Sequence, residues 1–163
     1  MAVDGEIERC YRSEYRRLVG VVAVVTGSTG LAEEAVQEAF ARALVQSRRG
    51  RPFDRLPAWV VTVALNHARS GRRKASSERR AFRRLATAPP AEGLSDDSGT
   101  LALRAAIADL ARRQQDAVVL YYLLDMDVAS VAGALGISSG TVKSALSRAR
   151  DRLAVLLGEE LEA

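Results

Sequence analysis

The sequence predicts an all-α fold made of two small helical domains. Apolar residues recur at spacings of three and four through most of the chain, which is the period of an amphipathic helix. No segment alternates apolar and polar residues over the length that a strand needs. Near the middle, between about Ala86 and Gly99, prolines, glycines and acidic residues replace the large apolar side chains, and this composition predicts a linker.

The overall composition is that of a globular protein. The 163 residues are 48% hydrophobic and 27% charged, with a net charge of +4. No apolar run approaches the roughly 20 residues that a membrane span requires, and the N-terminus lacks the basic and then apolar order of a secretory signal. We therefore expect a cytoplasmic protein.

The N-terminal domain, residues 1–84, is predicted to contain three helices, over 6–25, 31–46 and 57–73. Gly27 can end the first helix, and the hydroxyls that follow it can cap the second. Pro57 fits the first turn of the third helix. On the second helix, one stripe is predicted to face inward: Leu31, Ala35, Val36, Ala39, Phe40, Ala43 and Leu44.

The third helix carries a polar stripe on an otherwise apolar surface. Thr62, Asn66, Arg69 and Arg73 lie at spacings of four, three and four. The stripe leads into a basic run, which extends from Arg69 to Arg84 and includes Arg72. Glu78 is the single acid in this run. Clustered arginines are typical of phosphate binding, although a solvated basic face has the same composition.

The predicted linker covers residues 85–99, and the C-terminal domain covers 100–163. Its apolar positions predict three amphipathic helices followed by a fourth. The apolar faces of the first three are predicted to hold Leu103, Ile107, Leu110, Ala117, Val118, Leu120, Tyr121, Leu124, Val128, Val131, Ala132 and Leu135. The segment 128–153 has a short helix, a turn at Gly136, serines that can cap at Ser138 or Ser139, and a longer helix, which is the order of a helix-turn-helix. The side chains predicted to meet duplex DNA on this helix are Thr141, Lys143, Ser144, Ser147, Arg148 and Arg150.

The sequence predicts neither a metal centre nor a catalytic site. Cys10 and His67 are the only residues of their types, so no cluster with zinc-ligand spacing exists. There is no phosphate-binding glycine loop and no nucleophile paired with a base, and no cofactor is expected. Cys10 is predicted to be a small buried hydrophobe.

Both halves of the chain resemble extracytoplasmic-function sigma factors of the sigma-70 superfamily. The segment 34–40, Glu-Ala-Val-Gln-Glu-Ala-Phe, resembles the region-two motif of that family, and Pro57-Ala58-Trp59 with Asn66 resembles its next helix. The segment 140–144, Gly-Thr-Val-Lys-Ser, followed by Arg148-Ala149-Arg150, resembles region four. The family is identified by two motif sets in the expected order.

The resemblance implies a non-enzymatic factor that binds core RNA polymerase and directs promoter-specific transcription initiation. Region two would bind the clamp helices of the beta-prime subunit through Glu34, Gln37 and Glu38. It would also capture the melted minus-ten element through Thr62, Asn66, Arg69, Arg72 and Arg73, with the loop 48–56 walling a pocket for an unstacked base. Region four would bind the beta flap and the minus-thirty-five element, and an anti-sigma factor is the expected regulator.

Some residues allow a structural interpretation as well. The strip of Glu34, Gln37 and Glu38 could be a solvated face with a Glu38–Arg42 ion pair. His67 is read as structural, and Trp59 fits a core position better than a base-stacking platform. Ala145 replaces an arginine that is common in the family, and we expect its methyl group to face the DNA groove.

Other departures from the family pattern are Arg48, Ala111 and Ser130.

The competing function is a stand-alone helix-turn-helix regulator that binds duplex operator DNA through a dimer. Such a regulator needs an apolar self-complementary patch, whereas the second helix is predicted to expose Glu34, Gln37 and Glu38. An enzyme acting on DNA is the third class, and the sequence offers it no chemistry.

Overall fold

The computed structural model describes residues 2–81 and 98–162, with side chains over 4–73 and 99–158, and every regular element in these ranges is helical. The all-α prediction is confirmed. The chain divides into two compact units, residues 1–93 and 94–163. The predicted linker lies almost entirely outside the described residues, as do the side chains of the basic run from Lys74 onward. The boundaries at residues 84 and 100 therefore stay predictions.

The first unit is a bundle of three helices, α1 (Ala2–Thr26), α2 (Thr29–Arg48) and α3 (Leu56–Ala81). Each is longer than its sequence pattern predicted. The predicted end of α1 at Gly27 is confirmed, because Gly27 takes a φ of 69° and its N–H donates to the Ala23 carbonyl at 2.9 Å. Ser28 then caps α2, with its hydroxyl oxygen accepting from the Leu31 N–H at 3.2 Å.

Every helix of this unit packs against the other two. Fully buried side chains from all three meet in the core, among them Leu18, Val22, Val36, Val60, Val61 and Leu65. The predicted inward stripe of α2 is right for its central members and wrong at both ends. Leu31 is 44% exposed and Leu44 is 38% exposed, because these residues lie at the margins of the stripe, beyond the reach of α1 and α3.

Two polar contacts join the ends of the bundle. The Arg72 guanidinium on α3 donates to the carbonyl of Thr26, the last residue of α1. Carbonyls at a helix C-terminus have no N–H partner within their own helix. At the other end, the Ser47 hydroxyl donates to the Asp4 carboxylate at 3.0 Å and links α2 to α1. Arg72 thus has a structural role besides the DNA contact predicted for it.

The second unit contains α4 (Ser98–Ala108), α5 (Arg112–Val118), α6 (Val128–Leu135) and α7 (Ser139–Glu162). Helix α7 packs against α4, α5 and α6. Buried side chains on α7 recur at the helical period, at Val142, Ala145, Leu146 and Ala149. On α4 the expected inward position Leu103 is instead 42% exposed.

Helix α5 continues into a π-helical turn, Val119–Leu123, which the sequence pattern did not reveal. The Leu124 N–H donates to the carbonyl of Val119, five residues earlier, at 3.2 Å. The wider turn inserts an extra residue into the helical repeat. Within it Tyr121, expected on the inward face, is only half-buried and Tyr122 is 47% exposed. Within the described residues, no helix combines the length and apolar character needed to cross a membrane.

Candidate nucleic-acid interface

Helices α6 and α7 form the predicted helix-turn-helix, and each of its junctions has a local cause. The Asp127 carboxylate caps α6 by accepting from the Ser130 N–H at 2.7 Å. Gly136 ends α6 in the left-handed region, with a φ of 65° and a ψ of 35°. The Ser138 hydroxyl then accepts from the Thr141 N–H at 3.1 Å and starts α7.

The exposed side of α7 carries most of the side chains predicted to meet DNA. Four of them, Lys143, Ser144, Ser147 and Arg148, are exposed and point away from the core of the unit. Thr141 is half-buried, and its hydroxyl lies 2.8 Å from that of Ser138, so it takes part in the helix cap. The helix therefore presents a polar and basic outer surface over its first three turns.

Ala145 does not belong to that surface, and the expectation for it was wrong. Its exposed fraction is 7%, and it lies in the row of buried residues with Val142, Leu146 and Ala149. Positions 142, 145, 146 and 149 follow the spacing of three and four that turns a helix face inward. The methyl group of Ala145 packs in the core of the unit and cannot reach a DNA groove.

Arg150 is exposed and is held by a neighbouring aromatic side chain. Its guanidinium donates to the hydroxyl of Tyr122, a residue of the π-helical turn, at 3.0 Å. This hydrogen bond is the largest cause that raises the pKa of Arg150 above its ordinary value. Farther along α7, Arg152 pairs with Asp109 at 2.9 Å and ties the helix to the residue that follows α4.

The polar strip on α2 lies on the surface of the first unit. Glu34 and Gln37 are exposed and Glu38 is half-exposed. Glu38 accepts from the Arg42 Nε at 2.7 Å, and this hydrogen bond lowers the pKa of Glu38, with the charges of Arg42 and His67 acting in the same direction. His67 on α3 reaches over to the strip, with its Nε2 3.8 Å from Glu34, too long for a hydrogen bond.

The polar stripe on α3 runs from the half-buried to the exposed part of the helix. The Thr62 hydroxyl donates to the carbonyl of Ala58 at 2.8 Å, one turn earlier on its own helix. Asn66 and Arg73 are exposed, and Arg69 is half-buried. The structure therefore leaves Asn66 and Arg73 as the stripe members most accessible to an external ligand.

A cleft of about 360 Å³ opens between α2 and α3. Trp59 and Val63 on α3 form its apolar side, and Arg42, Arg49 and Arg51 also line it. The half-buried Trp59 ring is fixed by an edge-to-face contact with Phe53, with centroids 5.0 Å apart. The remaining lining residues are Val45 and Gln46.

The pocket expected for an unstacked base stays a prediction, and the cleft shares only part of its lining. We expected the loop 48–56 to wall a pocket around Asn66, yet the cleft is lined through α2, the start of that loop and Trp59, and Asn66 does not line it. Arg42 on α2 was not predicted to line a pocket because it falls on a face that a helical pattern marks only as solvated. Trp59, weighed mainly as a core residue, lines an open cleft.

The described residues contain no group of three or more His, Cys, Asp or Glu side chains that could hold a metal ion. Cys10 is half-buried, less than the core position that we predicted. Burial nonetheless raises the pKa of its thiol to about 11, and the charges of Glu14 and Glu6 add to the effect.

Comparison with known proteins assigns both units to regions of one family. Residues 10–78 match the family model of Sigma-70 region 2, and residues 100–153 match that of Sigma-70, region 4. The ECF RNA polymerase sigma factor EcfG of Rhodopseudomonas palustris (strain TIE-1) is 32% identical over 139 residues, which are 82% of this chain and 75% of that protein. The chain belongs to the extracytoplasmic-function sigma factors of the sigma-70 family.

Other relatives agree. The RNA polymerase sigma factor CarQ of Myxococcus xanthus is 30% identical over 151 residues, covering 90% of this chain and 86% of that one. The structure of the sigma factor RpoE in complex with the anti-sigma factor NepR from Bartonella quintana has a TM-score of 0.72 and 24% identity, and covers 94% of this chain and 97% of that chain. That likeness shows a shared fold.

The family establishes the function at the level of its class. This protein is a sigma factor, a non-enzymatic transcription initiation factor that directs promoter recognition by RNA polymerase and binds DNA through region 4. The region-2 match decides against the stand-alone helix-turn-helix regulator, since such a regulator would not carry region 2 of a sigma factor.

Proposed function

We propose that this sigma factor divides its work among three exposed surfaces, one for core polymerase, one for the melted minus-ten element and one for the minus-thirty-five duplex. The observation that carries the proposal is that each polar set includes exposed side chains on the outer side of a helix whose opposite side forms a core. Binding can then occur without disturbing the bundle that presents the residues, because exposed polar side chains contribute little to folding.

The first surface is the strip of Glu34, Gln37 and Glu38 on α2, proposed to bind the clamp helices of the beta-prime subunit. The hydrogen bond from Arg42 lowers the pKa of Glu38 and so favours its ionised form, and an ionised carboxylate suits a basic coiled coil. Nearby exposed apolar side chains, Tyr11 and Leu31, offer the nonpolar area that a protein interface also uses.

The second surface combines the α3 stripe with the cleft beside it. Asn66 can hydrogen-bond the edge of an unstacked base, and Arg69, Arg72 and Arg73 supply charge for the DNA backbone. The cleft offers an indole ring and guanidinium groups, which are the two side-chain types on which single-stranded bases stack. We assign the extruded base of the minus-ten element to this cleft.

The third surface is the outer side of α7, proposed to enter the major groove of the minus-thirty-five element. Lys143, Ser144 and Ser147 lie early enough on the helix to reach base edges. Arg148 and Arg150 are proposed to contact phosphates, which fix the docking register and add an affinity that falls with salt.

Further partners follow from the family alone. The second unit is expected to bind the beta flap of the polymerase, and an anti-sigma factor is the expected regulator. Support for the regulator comes from the similar fold of RpoE, which was solved in complex with the anti-sigma factor NepR.

Run-off transcription on a library of upstream regions tests the proposal. Purified core polymerase is assayed alone, with the parent chain, and with chains altered at one surface at a time. We expect transcripts only with the chain present, and separate losses for the three surfaces. Promoter-specific transcripts that persist when a surface is altered would remove that surface from the proposal.

A further inference from the structure

Tyr122 lies against the proposed DNA surface, although no sequence motif points to it. Its hydroxyl accepts from the Arg150 guanidinium at 3.0 Å, and both side chains are exposed. On α7, Lys143, Ser147 and Arg150 follow one another at spacings of four and three, so they form one row on the helix surface. Tyr122 therefore flanks the end of the row that begins with Lys143.

Tyr122 lies within the π-helical turn, Val119–Leu123. Regular α-helical spacing would continue the apolar face through Leu120 and Tyr121 to Leu124. Within the turn Leu120 is buried, Tyr121 is half-buried and Tyr122 is exposed. The Tyr122 ring is then steadied by an edge-to-face contact with Tyr121, with centroids 4.8 Å apart.

The chemistry of the pair favours a role in binding over one in folding. A guanidinium carries five N–H donors in a planar fork, so the hydrogen bond to Tyr122 leaves most of them for a phosphate. A free arginine side chain samples many rotamers, and ordering it on binding has an entropic cost. A phenol fixed by a rigid turn lowers that cost by holding the guanidinium in place beforehand.

We propose that Tyr122 is a positioning residue for promoter binding, which holds Arg150 oriented toward a phosphate of the minus-thirty-five duplex. The inference rests on the proposed DNA contact of α7. It extends the DNA-binding machinery of region 4 from the helix-turn-helix to the π-helical turn that precedes it.

The test uses holoenzyme reconstituted from core polymerase and the 163-residue chain, with a minus-thirty-five promoter duplex titrated at several salt concentrations. The variants are Tyr122→Phe, Arg150→Ala, the double variant, and Tyr121→Phe as a matched control that loses a neighbouring hydroxyl. We expect Tyr122→Phe to weaken binding measurably, by up to roughly tenfold, and to flatten the dependence on salt, as Arg150→Ala does more fully. Tyr121→Phe should bind like the parent, and the melting temperature should be unchanged in Tyr122→Phe.

The double variant identifies the mechanism. If Tyr122 acts through Arg150, the double variant binds like Arg150→Ala alone, because nothing remains to be positioned. Full additivity would overturn the inference by showing that Tyr122 acts by itself. Parent-like binding and salt dependence of Tyr122→Phe, beside a weakened Arg150→Ala, would overturn it and leave the α7 contact standing, whereas parent-like binding of Arg150→Ala would overturn the proposed phosphate contact as well.

Discussion

Gln37 donates a hydrogen bond from its side-chain amide to the Tyr15 hydroxyl over 3.1 Å, which joins the polar strip on α2 to helix α1. Gln37 is exposed and Tyr15 is half-buried. An amide side chain has two N–H donors and a carbonyl acceptor, so this contact orients Gln37 and still leaves it able to bind a partner. The strip is thus partly preorganised by α1.

Reversing charge on the strip should weaken polymerase binding. In the chain with Glu34→Lys and Glu38→Lys, attraction to a basic coiled coil becomes repulsion, and we expect affinity for core polymerase to fall by roughly 10- to 100-fold. The melting temperature should barely change because both carboxylates are on the surface. The charge-matched control is Glu6→Lys with Glu8→Lys on α1, two exposed positions outside the strip. Equal co-elution of the two variants with core polymerase would contradict the assignment.

Changes in the α3 stripe should impair strand opening and leave polymerase binding intact. Loss of one base-edge contact costs about 1 to 3 kcal/mol, and we expect Asn66→Ala and Arg69→Ala to lower open-complex formation accordingly. Ser70→Ala, an exposed neighbour on the same helix, serves as the control. Permanganate footprinting of the minus-ten region measures the effect, and undiminished opening in Asn66→Ala would exclude that residue from the site.

Base reading and phosphate attraction on α7 should separate in the variants. Lys143→Ala is expected to lose discrimination among minus-thirty-five sequences, since Lys143 is the exposed donor best placed to reach a base edge. Arg148→Ala should weaken all sequences about equally. Asp151→Asn, which removes an exposed acid from the same helix, should weaken none. Competitive transcription from randomised minus-thirty-five elements gives the three profiles, and an unchanged profile for Lys143→Ala would show that α7 is not the reading element.

Placing an arginine at position 145 should lower the stability of the second unit and should add no contact to a DNA base. Ala145 is 7% exposed, so a guanidinium there must displace packed neighbours or draw the helix outward. Overpacking of a core typically costs about 1 to 3 kcal/mol, and an unpaired buried charge adds to it. Thermal unfolding of Ala145→Arg should shift down, while Ser144→Arg, on the exposed side, should unfold like the parent. Equal melting temperatures would place position 145 on the surface.

Cys10 should react slowly at neutral pH. Its pKa is raised from 9.0 to about 11, chiefly because burial disfavours the thiolate, which is the reactive form. A raised pKa means that the folded chain holds the thiol proton more tightly, so this contribution to stability is complete below pH 9.0 and is lost as the pH rises through about 11. The rate of alkylation by iodoacetamide should rise at a higher pH in the folded chain than in the urea-unfolded chain. Coincident pH profiles would contradict the shift.

The sequence by itself determined the helical class, most of the helices and the family. Periodicity marked the apolar faces, and small local signals such as Gly27, Ser28 and Gly136 act within a few residues, so they can be read without knowledge of the fold. The same holds for the motifs in α2, α3 and α7. The candidate residues Glu34, Asn66 and Lys143 are exposed as their positions in those patterns required.

Tertiary structure decided what depends on neighbours distant in the chain. Ala145 is buried because α7 packs against three other helices, and the family position that suggested an exposed arginine could not reveal this. Gln115 is buried because its amide donates to the carbonyls of Ile107 and Ala108, at 3.0 and 3.1 Å, and satisfies the end of α4. The π-helical turn and the contact between Tyr122 and Arg150 have the same origin. Packing against other helices decides whether a residue at the edge of an apolar face is buried or exposed. The sequence pattern of a single helix does not contain that information.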